Sequence, residues 1–502
     1  MSPVDYSDVQ GLAAYGYAKL VEARYCLLRI RNVEAARAWL AAAPVSTAEF
    51  HQPPPETALH VAFSAHGLRA LGVAESTVAG FSAEFLEGMA GPASRSRRLG
   101  DIGTSDPAGW LWGGPGKDPD LVVMVYSKTS LAAWEQAVQS GPWSNAFETL
   151  ATLETSDMGG HEPFGFADGI SQPVFDWEHK RPVPGTTTVY DNREALGELL
   201  LGYPNEYDKY TGRPLLEPAA DPAGGLLPAE DDPARKDFGR NGTFLVLRQL
   251  EQDVRGFWQY LDRAAEGQTP ERYRLGAAMV GRTVDGDPLI PPSGPPLAGV
   301  TDKPGQPSNA FTYDQDPEGV QCPFGAHIRR ANPRNADLFG HPSGVVAGLG
   351  SRLAIPRPGL HDDLMASTRF HRVLRRGREY GVRITPEEAL KPGPPNEAPR
   401  GLHFACLCAN ILRQFEFVQN AWLMSTKFDG LTDESDPLLG NRAPVGDCPV
   451  TGYFSIPRED KLTRRLSGVP QFITVRGGAY FFMPSLRVLR YIARGGGSSS
   501  AQ

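Results

Sequence analysis

The stretch TFLVLRQLEQDVRGFWQYL, residues 243–261, passes from a short apolar run into the spacing of an amphipathic helix. Closely spaced apolar residues indicate a buried strand, and apolar residues three to four apart indicate a helix. The same order occurs in YCLLRIRNVEAARAWLAAA (25–43) and in LVVMVYSKTSLAAWEQAV (121–138). Arg37-x-Trp39 in the first of these matches Arg255-x-Phe257 in the opening stretch. A repeated strand and helix unit predicts an internal duplication.

The organisation of the whole chain agrees with two related halves. A fourth apolar run, LHFACLCANILRQFEFVQNAWL (402–423), also passes from alternation into helical spacing. Residues 217–237 are rich in Pro, Gly and acids, which is unlike the interior of any helix or strand. We therefore expect an N-terminal module at 1–216, a linker region at 217–240 and a C-terminal module at 241–502. The predicted fold class is α+β, with two antiparallel sheets, helices on their faces and long Pro/Gly-rich loops.

Composition restricts the class of protein. The 502 residues are 41% hydrophobic and carry 50 Lys+Arg against 58 Asp+Glu, and a net charge of -8 argues against a nucleic-acid partner. No eighteen apolar residues run together, so no membrane span is expected. Five scattered cysteines do not suit a disulfide framework, and the first thirty residues do not resemble a signal peptide. We expect a cytoplasmic protein.

GFADGISQP, residues 165–173, combines a carboxylate with two glycines. By itself Asp168-Gly169 is an ordinary tight-turn dipeptide on a surface. The functional interpretation is a carboxylate on a glycine-shaped loop, where missing side chains let a flat ligand approach the backbone. The sequence leaves both interpretations open.

CPFGAHIRRANPR, residues 322–334, places one imidazole among three arginines. A zinc site using Cys322 and His327 would need further ligands at suitable spacing, which Cys406, Cys408 and Cys448 do not supply. A neutral imidazole followed by Arg329, Arg330 and Arg334 suits a ligand that is both a metal centre and a dianion, and haem b meets that description. The alternative is a solvated basic loop in which arginine pairs with Asp337.

HRVLRRGREYG, residues 371–381, is a third dense basic stretch. The apolar pair Val373-Leu374 implies a buried approach, so Arg375 or Arg376 is expected to point inward and to need an anionic or metal-bound partner. A strand edge with arginines in solvent is the alternative.

Together and in this order, the three stretches resemble the dye-decolorizing peroxidase family of haem enzymes. The resemblance extends to VQGLAAYGYAKL (9–20), QFEFVQNAWL (414–423) and DPLLG (436–440), so it covers most of the chain. It implies two ferredoxin-like modules of the dimeric α+β barrel type, with haem b in the second. It also implies a peroxidase that uses hydrogen peroxide to oxidise bulky dyes, phenols or other one-electron donors.

The resemblance assigns residues on the distal side of the haem. The family's GxxDG motif corresponds here to Gly165, Asp168 and Gly169. Its distal arginine corresponds to Arg375, with Arg376 as the alternative. Two apolar residues of the distal pocket correspond to Leu402 and Phe404, which alternation places on one face of a strand.

On the proximal side the resemblance makes His327 the iron ligand. It also implies an acid hydrogen-bonded to that imidazole, for which Asp436 is the first candidate and Asp447 the second. Asp168 is then expected to move a proton between the peroxide oxygens, and its low intrinsic pKa predicts an acidic pH optimum.

Two other classes of function remain as alternatives. A haem-binding or deferrochelatase-like protein would keep His327 without efficient peroxidase turnover. A non-haem binding module would use the arginine-rich loops for an anionic metabolite. The sequence does not fix the electron donor, and a homo-oligomer is left open.

Overall fold

The sheets contain two copies of one strand order. The computed structural model describes residues 3–180, 193–292, 309–334, 367–442 and 452–495. The first copy consists of β1 (Glu22–Ile30), β2 (Thr57–Phe63), β3 (Leu121–Ser127) and β4 (Phe147–Glu154), paired antiparallel in the order β4-β1-β3-β2. Short strands follow it: β5 (Val174–Phe175) pairs with β6 (Arg193–Glu194), and β7 (Leu215–Leu216) pairs with β8 (Lys236–Asp237).

The second copy has the same order. It consists of β9 (Thr243–Gln252), the short β10 (Leu374–Arg375) and β11 (Arg378–Tyr380), β12 (Gly401–Cys408) and, after the hairpin β13 (Tyr453–Ile456) and β14 (Arg464–Ser467), β15 (Ile473–Met483). Its order is β15-β9-β12, with β10 and β11 both on the far edge of β12. Numbered within its own copy, each sheet reads 4-1-3-2, so the predicted α+β fold with two ferredoxin-like modules is confirmed.

The helices connect the strands and cover the sheets. Their bounds are α1 Val33–Ala42, α2 Ala65–Ala70, α3 Glu75–Val78, α4 Ala83–Glu87, α5 Ala93–Leu99, α6 Leu131–Val138, α7 Trp143–Ala146, α8 Val254–Ala264, α9 Thr269–Val280, α10 His327–Ala331, α11 Pro386–Ala389 and α12 Leu486–Ala493. After β12 the chain forms two π-helical turns, Leu412–Glu416 and Val418–Met424. None of the helices in the described ranges is long and apolar enough to cross a membrane.

The predicted strand and helix units are confirmed, and their ends show why they form. In both copies the helix begins just after the first strand, where a short polar side chain accepts a backbone N–H of the first turn: Asn32 from Ala35 in α1, and Asp253 from Gly256 in α8. The matched aromatic residues Trp39 and Phe257 are both buried. The sequence similarity therefore reflects equivalent positions in the two copies.

The inner strands of each sheet are buried on both faces, which accounts for their nearly continuous apolar runs. One face packs against the helices, and the other contributes to a second apolar cluster shared by the two sheets, with Leu27 and Met124 from the first and Leu247 and Phe481 from the second. The sheets also meet edge to edge, where Phe63 of β2 pairs with Phe482 of β15. Cys406 and Cys408 are buried free thiols in β12, and Cys448 lies outside the described residues.

The residues between the copies do not form a free tether. Within the expected linker, Lys236–Asp237 pairs with Leu215–Leu216, and Asp237 accepts a hydrogen bond from Arg213 (Nε to Oδ2 2.7 Å). Asn241 donates to Asp8 (2.8 Å), so the start of the second half also contacts the N-terminal residues. We keep the division at 217–240 as a proposal about the halves of the chain.

Candidate active site

One cavity brings the three dense sequence stretches together. It has a volume of about 320 Å³ and lies on the helix-facing side of the second sheet. Its walls are mainly apolar, and the aliphatic and aromatic side chains include Leu402, Phe404, Phe415, Leu423, Leu438 and Val475. Asp168, Arg375 and His327 all border it. Residues that are far apart in sequence therefore form one site.

Asp168 and Arg375 form an ion pair at this cavity. Arg375 Nη1 donates to Asp168 Oδ1 at 2.8 Å, and the backbone N–H of Gly169 donates to the same oxygen at 2.6 Å. Burial opposes ionisation of Asp168, but the Arg375 charge and these hydrogen bonds outweigh it and lower the pKa of the carboxyl below its ordinary value. The Asp168 carboxyl is therefore ionised to a lower pH than an ordinary aspartate.

The structure distinguishes the two neighbouring arginines. Arg375 lies in β10, paired with Cys406 of β12, and its side chain enters the cavity. The Arg376 side chain leaves on the other side, where Nε donates to the Leu12 carbonyl at 2.8 Å. Alternation along a strand accounts for the difference, because consecutive side chains point to opposite faces. Arg375 is thus the arginine that faces Asp168.

The two glycines of the GxxDG stretch shape the loop that carries Asp168. Gly165 has φ 101° and Gly169 has φ 76°, values that favour glycine because a Cβ would be strained there. Neither borders the cavity. The two glycines give the loop the turns that direct Asp168 inward, and their expected part in cofactor binding stays a prediction.

His327 is the first residue of α10. It comes from the second half of the chain, whereas Asp168 comes from the first. Its Nδ1–H donates to Asp436 Oδ2 at 2.9 Å, and Asp436 is fully buried. Burial opposes protonation of His327, but Asp436 raises the pKa of the imidazole above its ordinary value. With Nδ1 committed to Asp436, Nε2 is the nitrogen that can bind a metal. Asp447, the second candidate acid, lies outside the described residues.

Arg329 and Arg330 do not border the cavity, which corrects the expectation that they pair with a ligand. Arg329 binds Asp316 (3.2 Å) and the Cys322 carbonyl (2.8 Å). Arg330 is fully buried and donates to three backbone carbonyls, those of Trp422 (2.7 Å), Ser425 (3.0 Å) and Glu434 (2.5 Å). Consecutive side chains of a helical turn point in different directions, so Arg329 and Arg330 need not face the cavity beside His327. Their guanidinium groups instead stabilise the backbone around His327.

Leu402 and Phe404 border the cavity together, as their alternation in β12 predicts. Both are packed against the main apolar core. The residue between them, His403, points to the other face and contacts the rings of Tyr380 and Tyr25. The strand therefore contributes an apolar wall to the site.

Two arginines at the cavity edge form a positively charged group. Arg334 was one of the three arginines expected near a dianion, and it does border the cavity. Arg282, which the sequence analysis missed, joins it, and both donate to Asn309 Oδ1, at 3.0 Å from Arg282 and 2.7 Å from Arg334. Burial, with the nearby Arg334 charge, lowers the pKa of Arg282 to about 10. No local motif marks Arg282, because it lies fifty-two positions before Arg334 in the chain.

Comparison with known proteins identifies the family. No family model matches the sequence. The chain is 32% identical over 351 residues to a multifunctional dye peroxidase of an Amycolatopsis species, covering 67% of this chain and 62% of that protein. It is 30% identical over 479 residues to a dye-decolorizing peroxidase of Mycena epipterygia, covering 88% of this chain and 76% of that one.

Solved structures agree. A fungal DyP-type peroxidase from Auricularia auricula-judae superimposes with a TM-score of 0.70 at 27% identity, covering 98% of this chain and 100% of that chain. A DyP-type peroxidase from Anabaena has the same fold, with a TM-score of 0.69 at 22% identity and coverage of 97% and 94%. The protein is therefore an enzyme of the dye-decolorizing peroxidase family, which uses hydrogen peroxide as its oxidant.

Proposed function

We propose that the protein is a haem b peroxidase in which Asp168 and Arg375 assist heterolytic cleavage of hydrogen peroxide and His327 binds the iron. Bulky dyes, phenols or other one-electron donors would be the reducing substrates. The observation that carries the proposal is one cavity bordered by both the Asp168–Arg375 ion pair and an imidazole fixed by Asp436.

The residues around the cavity suit a haem. His327 offers one ring nitrogen, and no donor or acceptor of the described residues contacts that Nε2. The apolar wall of Leu402 and Phe404 suits a porphyrin face, and the Arg282–Arg334 group suits the two carboxylates of its edge. The donor set of one imidazole without thiolates fits iron better than a structural zinc.

When bound, the haem would supply the redox centre that accepts the two oxidising equivalents of peroxide. The protein's own contribution is proton movement at Asp168. Oδ1 already accepts from Arg375 and Gly169, and no described donor contacts Oδ2. Oδ2 is therefore the atom that takes the proton from one peroxide oxygen and returns it to the other. Arg375 keeps the carboxyl ionised and stabilises negative charge on the departing oxygen.

The His327–Asp436 pair has a separate task. Asp436 Oδ2 accepts from Nδ1–H, while its Oδ1 accepts the backbone N–H groups of Leu438 (2.9 Å) and Leu439 (2.8 Å). An acceptor held in this way fixes the ring orientation and makes the other nitrogen a stronger donor to a metal.

A single experiment tests the proposal: rapid mixing of the haem-loaded protein with one equivalent of peroxide, followed by absorption. We expect a Soret band that changes within the mixing experiment in wild type and much more slowly in Asp168→Asn. A stable Soret band without peroxide reactivity would favour the haem-binding or deferrochelatase-like alternative. A colourless protein after haem-supplemented expression would contradict both. The cytoplasmic location and a homo-oligomeric state stay predictions.

A further inference from the structure

Glu162 borders the same cavity and is not part of the catalytic assignment. Its carboxylate accepts three hydrogen bonds: Oε1 from the backbone N–H of Phe166 (3.0 Å), and Oε2 from the backbone N–H of Phe164 (3.0 Å) and from Gln252 Nε2 (2.8 Å). A carboxylate with three donors is held in one orientation. It can therefore set the position of whatever donates to it.

Two of the donors, the backbone N–H groups of Phe164 and Phe166, belong to the loop that carries Asp168. The backbone of Glu162 closes the same turn, since its N–H donates to the Phe166 carbonyl (2.9 Å) and its carbonyl accepts from Gly165 (2.8 Å). Asp168 follows this turn directly and bonds back to the Gly160 carbonyl through its N–H (2.9 Å). The backbone and the side chain of Glu162 thus both stabilise the turn that immediately precedes Asp168.

The third donor belongs to the other half of the chain. Gln252 is the last residue of β9, the strand that lies between β12 and β15 in the sheet that borders the cavity. Its Nε2 is used for Glu162, and its buried Oε1 has no hydrogen-bond partner among the described residues. The bond from Gln252 to Glu162 therefore connects the Asp168 loop with the sheet whose strand β10 carries Arg375.

We infer that Glu162 is a positioning residue: through Phe164, Phe166 and Gln252 it fixes Asp168 relative to the second sheet. The inference rests on the proposed role of Asp168. Glu162 acts on the peroxide step through the loop and takes no proton from peroxide itself.

The side-chain amide of Gln252 suits this task in acid and in neutral solution. Burial, with a contribution from the Asp168 charge, raises the pKa of Glu162 to about 7, so the carboxyl gains a proton as the pH falls below that value. The Gln252 amide can donate from Nε2 to the carboxylate or, after a half-turn, accept at Oε1 from the protonated acid. The connection therefore survives the change of charge.

Two variants that keep the size of the side chain nearly unchanged test the positioning role of Glu162. Glu162→Gln replaces one oxygen by an amide nitrogen and removes the acceptor for one backbone N–H, while Gln252→Leu removes only the bond between the halves. Glu251→Gln is the matched control, because Glu251 is the neighbouring strand residue, pairs with Arg476 and does not border the cavity. Asp168→Asn is measured beside them.

The first measurement is amide hydrogen exchange at Phe164 and Phe166, in the haem-free and the haem-loaded protein. We expect exchange about tenfold faster in Glu162→Gln, the change that corresponds to losing one hydrogen bond. Gln252→Leu should accelerate exchange in the same loop, and Glu251→Gln should not.

The second measurement is the peroxide rate as a function of pH. The charged groups that act on Asp168 are Arg375 of β10, His327 of α10, Glu162 of its own loop and Glu379 of β11. When the loop shifts, the hold of Arg375 weakens, so the acid limb should move to higher pH in both variants, and the rate should fall about tenfold with an unchanged donor KM. A purely structural loss would lower the rate without moving the limb.

The outcomes separate the inference from the proposed function. Wild-type exchange and an unmoved acid limb in both variants, together with a slow Asp168→Asn, would overturn the role of Glu162 and leave the proposed function intact. A wild-type peroxide rate in Asp168→Asn would remove the role of Asp168 and the inference that rests on it. If Glu162→Gln fails to fold, Gln252→Leu decides.

Discussion

The two sheets have the same strand order, yet only the second borders the cavity. In the first, the helix-facing residues of β1 include Cys26 and Leu28, which are packed in the apolar core. At the corresponding strand of the second, β9, three side chains reach the cavity: Arg248, Leu250 and Gln252. Polar residues on one face of a strand thus mark the copy that holds the site.

The helix side of the two sheets differs in the same sense. In the first, the rings of Trp39, Trp143 and Phe147 fill the space, with centroids 5.1–5.4 Å apart. In the second, the π-helical turns after β12 and the loop from 162 to 173 surround an open volume. In this duplicated scaffold, the copy with space under its helices thus holds the candidate site, while the other copy is filled by packed rings.

The strongest challenge to this comparison is removal of the imidazole. We expect His327→Ala to abolish haem retention, because His327 is the cavity imidazole whose Nδ1–H is held by the buried Asp436, leaving Nε2 to bind the iron. The measurement is the Soret absorbance per protein after haem loading. His66→Ala is the control, since His66 pairs with Asp120 at the first sheet and is largely exposed. A full Soret band in His327→Ala would remove it as the ligand.

A pair of truncations compares the packed copy with the open one. Trp39→Ala should lower the free energy of unfolding by about 4 kcal/mol, because the ring leaves a cavity among Trp143 and Phe147. Leu402→Ala should cost only about 2 kcal/mol, since its side chain already borders open volume. Denaturant unfolding of the haem-free proteins gives both values. Equal losses would contradict the difference in packing.

The two adjacent arginines sharpen the assignment within the open copy. Arg375→Ala should keep haem and raise the barrier of the peroxide step by about 3 kcal/mol, because the charge that holds Asp168 and the departing oxygen is lost. Arg376→Ala removes the same charge on the far face of the strand and should leave that step within about threefold of wild type. Stopped-flow rates decide. Similar rates for the two variants would mean that Arg375 has no special role.

The smallest expected effect is a shift of the pH profile. The pKa of Asp168 is lowered, so its carboxylate is present above that lowered value and the peroxide rate should fall only below the ordinary pKa of 3.8. In Arg375→Ala, burial acts without the opposing cation, and the acid limb should move up by about one pH unit or more. Peroxide rates across the acid range measure the limb. An optimum above neutrality in wild type would count against Asp168 as the base.

The sequence predicted those parts of the fold and site that depend on local pattern. The strand and helix units, the duplication and the position of Leu402 and Phe404 on one face follow from periodicity, which left Arg375 and Arg376 both open. The choice of Arg375 came from the family resemblance. Asp168, His327 and Asp436 came from the family resemblance, and the structure brings them to one cavity or its edge.

What the sequence missed depends on tertiary contacts. Arg329 and Arg330 look like ligand residues by composition. The direction of Arg330 is set by backbone carbonyls about ninety or more positions away in the chain, and that of Arg329 by its contact with Asp316. Arg282 and Glu162 lie in no local motif. Their roles depend on their hydrogen bonds with Asn309 and Gln252, which form only in the folded chain.

The Arg330 contacts have a consequence for proton linkage. Its guanidinium is paired with backbone carbonyl oxygens, which bind no proton at any pH that the protein meets. Although burial lowers the pKa of Arg330, a guanidinium stays charged throughout the acid range. The number of protons bound by these groups is therefore the same in the folded and the unfolded protein, and the contacts of Arg330 contribute no acid-labile step to unfolding.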